Sequence, residues 1–209
     1  LSDALTWTFD GVFQSRDLRE ESPQYYFRGL TSLPRPIAGD VDNSVPGTYY
    51  DTRSSLLSTA LNWQINSDWK ASLSYGVTTS WNDVNKIFAY IDDTNGDYAV
   101  NVYELGGKSE WKLAQALVQG RFGTGPLQHQ LVAGVSHQTG LGWDRPYEFS
   151  LIGRANLYQR HGIRHDAVGS RLTTRGDETV QQAVFVSDTV DLGGGWSVLA
   201  GWRYNDFET

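Results

Sequence analysis

Apolar and polar residues alternate with period two along much of this chain, the pattern of a strand whose two faces meet different surroundings. The longest run begins at Trp69. Trp69, Ala71, Leu73, Tyr75, Val77, Thr79 and Trp81 fall on one face, and Lys70, Ser72, Ser74, Gly76, Thr78 and Ser80 on the other. The two Trp that bound the apolar face lie about 40 Å apart along an extended strand. Strand tilt shortens that toward the height of a bilayer band with its interfaces. The same rhythm places Leu5, Trp7, Phe9, Gly11 and Phe13 on one face, and Leu57, Thr59, Leu61, Trp63 and Ile65 on another. It returns at Ala114, Ala116, Val118, Gly120 and Phe122, and at Trp196, Val198, Ala200, Trp202 and Tyr204. Segments 127–139 and 179–191 alternate less cleanly, so about seven strands are predicted.

The connections alternate as well. Asn66-Ser67-Asp68, Gly123-Thr124-Gly125-Pro126 and Gly193-Gly194-Gly195 read as short turns, with Ser2-Asp3 as a further candidate. Between them lie long stretches near 18–51 and 141–177 and a hairpin tip at Asn95-Gly96. The strands flanking that tip, 69–91 and 97–122, exceed the ~10 residues that span a membrane and are expected to project beyond it. Short turns on one side and long loops on the other predict an all-β fold, a transmembrane antiparallel up-and-down β-barrel. The competing reading is a soluble β-sandwich binding module, whose strands usually run about 5–6 residues. Here alternation persists for about a dozen residues, and Trp and Tyr gather at strand ends.

Composition supports the barrel. Aromatics make up 13% of residues, yet mean hydropathy is −0.43. No run approaches the ~20 apolar residues of a transmembrane helix. A spanning chain without such runs must close its sheet, because lipid offers no water to an open edge. The net charge of −7 argues against a nucleic-acid partner. Without Cys there are no disulfides and no thiolate chemistry. The chain opens at Leu1-Ser2-Asp3 with neither start Met nor signal-peptide pattern, and it stops inside a strand at Phe207-Glu208-Thr209. A piece of a longer protein is expected.

Candidate chemistry is confined to the long loops. His161 and His165 stand four apart without the Glu of an H-E-x-x-H pattern, and read as solvated loop histidines. Asp92-Asp93-Thr94-Asn95-Gly96-Asp97 lacks two oxygens of a Ca loop, since Ile91 and Val102 fall at its first and last ligand positions; a hairpin turn is expected. No G-x-S-x-G, P-loop or Ser/His/Asp set suggests an enzyme, and no cofactor or metal site is predicted. Two features fit capture of a flat or anionic ligand by stacking and charge. One is Tyr25-Tyr26-Phe27-Arg28, with Tyr49-Tyr50 closing the same loop. The other is a basic run of Arg145, Arg154, Arg160, Arg164, Arg171 and Arg175, opposed by Glu148, Asp166, Asp177 and Glu178. The predicted binding set is Tyr25, Tyr26, Arg28, Tyr49, Tyr50, Trp143, Arg145 and Tyr147.

Two segments resemble a known family. Gly123-Thr124-Gly125-Pro126-Leu127-Gln128-His129-Gln130-Leu131-Val132-Ala133-Gly134-Val135 is similar to a strand–turn–strand of TonB-dependent siderophore receptors, with its T-G-P-L turn and H-x-L-x-x-G strand. Phe185-Val186-Ser187-Asp188-Thr189-Val190, then Trp196-Ser197-Val198-Leu199-Ala200-Gly201-Trp202-Arg203-Tyr204, resembles the next family hairpin. The resemblance implies an outer-membrane barrel of about twenty-two strands with a plug inside it. It implies uptake of ferric siderophores driven by TonB, and contact with membrane lipid and lipopolysaccharide. Plug, TonB box and C-terminal aromatic strand are not found in these residues, so residues 1–209 are expected to be the middle of such a barrel. The alternatives are a passive porin, or a receptor of this kind for cobalamin, haem, nickel or oligosaccharide.

Overall fold

A computed structural model describes residues 4–39, 41–168 and 173–209. Its strands are β1 (Leu5–Arg19), β2 (Gln24–Phe27), β3 (Tyr49–Gln64), β4 (Trp69–Ile91), β5 (Asp97–Thr124), β6 (Leu127–Asp144), β7 (Glu148–Asn156), β8 (Thr174–Gly193) and β9 (Trp196–Glu208). The main path of the sheet runs β1-β3-β4-β5-β6-β8-β9. Every neighbouring pair on that path is antiparallel. These are the seven predicted strands, each joined to the next along the chain. Strands β2 and β7 were not foreseen. They lie within the two long loops and add to the projecting part of the β4–β5 hairpin, β2 parallel to β4 and β7 antiparallel to β5.

Register aligns the predicted faces. Leu61, Leu73, Ala116, Val135, Val184 and Tyr204 are successive cross-strand partners, so they share one face of six neighbouring strands. That face is apolar and open: Phe9 is 68% exposed, Leu73 58% and Trp202 59%. A patch of that extent is unsuited to water and suited to lipid. The opposite face, with Ser72, Ser74, Gln115, Gln119 and Gln64, is polar and belongs to a lumen.

The less clean alternation of β6 and β8 has a visible cause. The apolar face there carries His129 and Asp188, which pair across the strands: His129 Nδ1 lies 2.6 Å from Asp188 Oδ2, and its Nε2 lies 2.6 Å from Thr124 Oγ1. The ring of His129 stacks on Phe122 at 4.6 Å, and Phe122 on Trp69 at 6.3 Å, so this polar chain sits inside the aromatic girdle at the short-turn end.

The three short turns, around residues 65–68, 125–126 and 194–195, share one end of the sheet. Positive φ at Gly125 and at Gly193, Gly194 and Gly195 explains the glycines at the last two. At the other end, β4 and β5 run on past the lipid-facing rows to the tip. There Gly96 adopts a φ of 87°, and the Asp97 N–H donates to Asp93 Oδ1 at 3.2 Å, the predicted hairpin turn. The main buried cluster lies on this projection, not in the membrane band. Val45, Ile87, Ala89, Ile91, Tyr98, Val100, Val102 and Leu157 form it. Loop residues Leu30, Ile37, Tyr158 and Ile163 pack over it.

Candidate functional site

Alternation continues into the projection, and there it separates two surfaces. On β4, Ile87, Ala89 and Ile91 face the buried cluster, while Phe88 and Tyr90 face the other way, above the polar lumen face. Strand β2 obeys the same rule. Its parallel register sets Tyr25 beside Ala89 and Tyr26 beside Tyr90, so consecutive tyrosines go to opposite sides.

The lumen-side surface is aromatic and cationic. Tyr26 stacks on Tyr90 at 5.5 Å and lies 5.6 Å from Phe88. Phe88 meets Tyr103 edge-on at 4.3 Å. Tyr103 also contacts Phe149 at 4.8 Å and Tyr147 at 5.6 Å. The hydroxyls of Tyr90 and Tyr103 share a hydrogen bond of 2.8 Å. Loss of water around the Tyr103 phenol, and then its hydrogen bond with Tyr90, hold it protonated well above the usual tyrosine range. Arg28 lies 3.6 Å over the Tyr90 ring, and the Lys86 ammonium 5.9 Å from that of Tyr50. Tyr147 and Phe149 keep 60% and 51% of their surface exposed, so the patch is open to solvent. A cleft of about 680 Å³ reaches Tyr147 of the patch and is bordered by Ser54, Ser80, Asn82, Ser109 and Asp144, and also by Arg53, Trp81, Lys108 and Trp143, whose side chains belong to the opposite face.

Of the eight predicted binding residues, Tyr26, Arg28, Tyr50 and Tyr147 belong to this surface. The other four go elsewhere. Tyr25 packs edge-on against Tyr98 at 5.6 Å in the buried cluster, where burial raises both phenols. Tyr49 donates to Asp83 at 3.2 Å on the face opposite the lumen. Trp143 shares that face, with the Lys108 ammonium 4.8 Å from its ring. Arg145 is buried and bonds to Asp83 and, at 3.0 Å, to Glu104. Phe88, Tyr90, Tyr103 and Phe149 were missed; the signal was present as aromatics two apart on strands too long for the bilayer.

The basic mouth predicted from the arginine run is largely neutralised. Arg145, Arg154, Arg164 and Arg175 each hold a carboxylate: Asp83 and Glu104, Asp92, Asp166 and Glu178 respectively. Arg171 lies outside the described residues. The histidine expectation also fails. His165 Nε2 sits 3.0 Å from Glu104, with only 14% of its side chain exposed, and both ring nitrogens of His161 are buried. These contacts build a clasp. The Val168 N–H donates to Glu104 at 2.9 Å, and Asn85 Nδ2 donates to the carbonyls of Gly47 and His165 at 2.9 and 3.0 Å. Both long loops are thereby pinned to the hairpin. Among the described residues no cluster of His, Asp and Glu could hold a metal ion.

Residues 2–209 match the family model described as TonB dependent receptor-like, beta-barrel. No curated protein matches the chain by sequence. Among solved structures it is similar to BauA, the ferric preacinetobactin receptor of Acinetobacter baumannii, with a TM-score of 0.84 at 16% identity over 99% of this chain and 32% of that one. PiuA, a siderophore receptor of the same organism, gives 0.81 at 14% identity, over 99% of this chain and 33% of that one. FpvA of P. aeruginosa, solved with bound heterologous pyoverdines and iron, gives 0.72 at 11% identity, over 99% and 28%. The chain thus spans about a third of the length of these receptors.

Proposed function

Because this chain belongs to the TonB-dependent receptor β-barrel family, we propose that it is the middle of an outer-membrane barrel that captures ferric siderophores for TonB-driven import. The family is one of receptors rather than enzymes. In this reading the long-loop end faces the medium and the short turns face the periplasm. A plug inside the barrel and a TonB-binding segment belong to parts of the receptor outside residues 1–209. The iron chelate is cargo and not a resident cofactor.

The observation that carries the reading is the surface formed by Tyr26, Arg28, Phe88, Tyr90, Tyr103 and Tyr147. It stands on the lumen side beyond the lipid-facing rows, where an incoming ligand first meets the barrel. Stacked rings hold flat aromatic chelators, and Arg28 with Lys86 answers their negative charge. The test is binding of ferric siderophores to the full receptor, with Tyr90→Ala/Tyr103→Ala beside the parent. Affinity for the cognate chelate should fall at least about tenfold, the loss of ~1.4 kcal/mol or more of stacking, while the barrel stays folded. Unchanged growth under iron limitation when the receptor is deleted would instead favour a porin or another cargo. Orientation is read separately, by labelling intact cells with an impermeant thiol reagent: Gly162→Cys should react and Ser67→Cys should not.

A further inference from the structure

Strand β2 brings Tyr26 and Arg28 to the ring surface, yet little in its own pairing holds it there. It has four residues and, among the described residues, pairs with β4 alone and in parallel. Parallel pairing is slightly the weaker kind per residue. Gln24, Tyr26 and Phe27 are exposed, and Tyr25 is the exception. Gln24 and Tyr26 face the lumen side, where the Gln24 amide donates to the Tyr26 hydroxyl at 2.7 Å. Phe27 keeps 49% of its surface exposed. Of the four, only Tyr25 packs against the buried cluster.

The socket for Tyr25 belongs to the hairpin itself. Its ring meets that of Tyr98 edge-on, with an interplanar angle of 85°, and Tyr98 is wholly buried. Tyr98 lies on β5 opposite Ile91 of β4, the residue beside which β2 ends. The hydroxyls of Tyr25 and Tyr98 make no hydrogen bond among the described residues, so the rings do the holding. Period two carries this contact through to the other side of the sheet. With Tyr25 seated in the cluster, Tyr26 points to the lumen side and stacks on Tyr90, and Arg28 follows over the same ring. A slip of one residue would seat Tyr26 instead and turn Arg28 away from the surface.

We propose that Tyr25 is the positioning residue of the ring surface: seated against Tyr98, it fixes the register of β2 and so presents Tyr26 and Arg28 to incoming cargo, which it does not touch. The proposal rests on the cargo reading given under Proposed function. A surface that is complete only while β2 is seated binds with an affinity scaled by the seated fraction. Tyr25 therefore acts on cargo only through Tyr26 and Arg28, and that separates it from a residue in contact with the ligand.

The experiment uses the full receptor in detergent and two readouts, affinity and amide hydrogen exchange. The probe is the ferric complex of 2,3-dihydroxybenzoate, an anionic aromatic chelate. Tyr25→Ala should weaken binding at least about tenfold by lowering the seated fraction, while Tyr25→Phe, which keeps the ring, binds as the parent does. In a Tyr26→Ala/Arg28→Ala background, Tyr25→Ala should cause no further loss, because nothing is left for it to position. Exchange should quicken over residues 24–28 in Tyr25→Ala and stay at the parent's level in β4 and β5. Every variant should keep the heat-resistant migration of the barrel. A parent that does not take the chelate counts against the cargo reading, and the exchange result then decides the role of Tyr25 by itself. Full binding by Tyr25→Ala, weak binding by Tyr25→Phe, or an undiminished further loss in the double-variant background overturns the proposal. So does exchange that is unchanged at 24–28 or raised throughout β4 and β5, and so does loss of heat-resistant migration in Tyr25→Ala.

Discussion

His129 of β6 and Asp188 of β8 join the two segments that carry the family resemblance, through a hydrogen bond of 2.6 Å on the lipid-facing side. A carboxylate on that face is costly unless it is paired. Asp188→Ala should therefore destabilise the barrel by about 1.5–3 kcal/mol, the range for a hydrogen bond to a charged group. His129→Phe/Asp188→Leu should recover most of the loss, because neither partner is left behind. Urea midpoints in detergent measure both. A double variant no better than Asp188→Ala would show that the pair does more than satisfy itself.

The lipid face gives the plainest contrast. Leu73→Arg and Ala116→Arg, direct cross-strand partners, should each impair assembly by about 2–4 kcal/mol at the bilayer midplane. Ser72→Arg and Gln115→Arg place the same charge toward the lumen and should be tolerated. Yield of heat-resistant barrel in membranes separates the sets, and equal damage would reverse the faces.

Gly140 lies beneath the Trp111 ring. A Cβ there would approach the ring to 2.4 Å. Gly140→Ala should cost about 1–3 kcal/mol by overpacking, and much less in a Trp111→Ala background, where nothing covers the site. A penalty independent of Trp111 would trace it to the backbone instead. A double-mutant cycle of unfolding midpoints decides.

Arg145 faces two buried carboxylates, Asp83 and Glu104. Arg145→Ala should cost about 3–5 kcal/mol locally. Faster amide hydrogen exchange is expected at Val168 and His165, whose N–H groups donate to Glu104 and to the Pro46 carbonyl. The strands within the bilayer should exchange as before. Exchange rising uniformly over the whole chain would mean that the clasp supports the barrel rather than the loops.

Alkali should act on the projection. Tyr98 and Tyr103 are held protonated above the ordinary phenol value of about 10, chiefly by loss of solvation. A raised folded-state pKa stabilises while both states keep the proton. That contribution is complete below the ordinary value and is lost as pH climbs through it toward the folded-state values. Loop protection should fade above about pH 10, and Tyr98→Phe should remove part of the dependence. A flat profile to strong alkali would place these phenols in water.

The membrane part of this fold was legible because lipid and lumen impose opposite demands at every second residue, and Trp69 through Trp81 obey with Thr79 alone out of step. Polar His129 and Asp188 blurred the pattern, since a cross-strand pair is invisible to periodicity. Beyond the bilayer, alternation still sorted side chains, but the two environments became a buried cluster and an exposed aromatic and cationic surface. Hence Tyr25 and Tyr26, adjacent in sequence and alike in chemistry, part company. Arginines at 145, 154, 164 and 175 looked like a field because their carboxylates arrive from elsewhere in the chain or sit a few residues along it.

Strands β4 and β5 contain 23 and 28 residues without interruption. At about 3.3 Å per residue they are struts of roughly 75 and 90 Å, rooted at the short turns and ending in the ring cluster of Phe88, Tyr90 and Tyr103. No joint separates the footing from the tip. Any strain applied to the wall near the lower girdle reaches these rings along continuous backbone, and any load on the rings returns the same way. The hairpin is the mast of the assembly. What is lashed onto it, the loops held by Arg145, Asn85 and Glu104, can shift only by letting go of the hairpin.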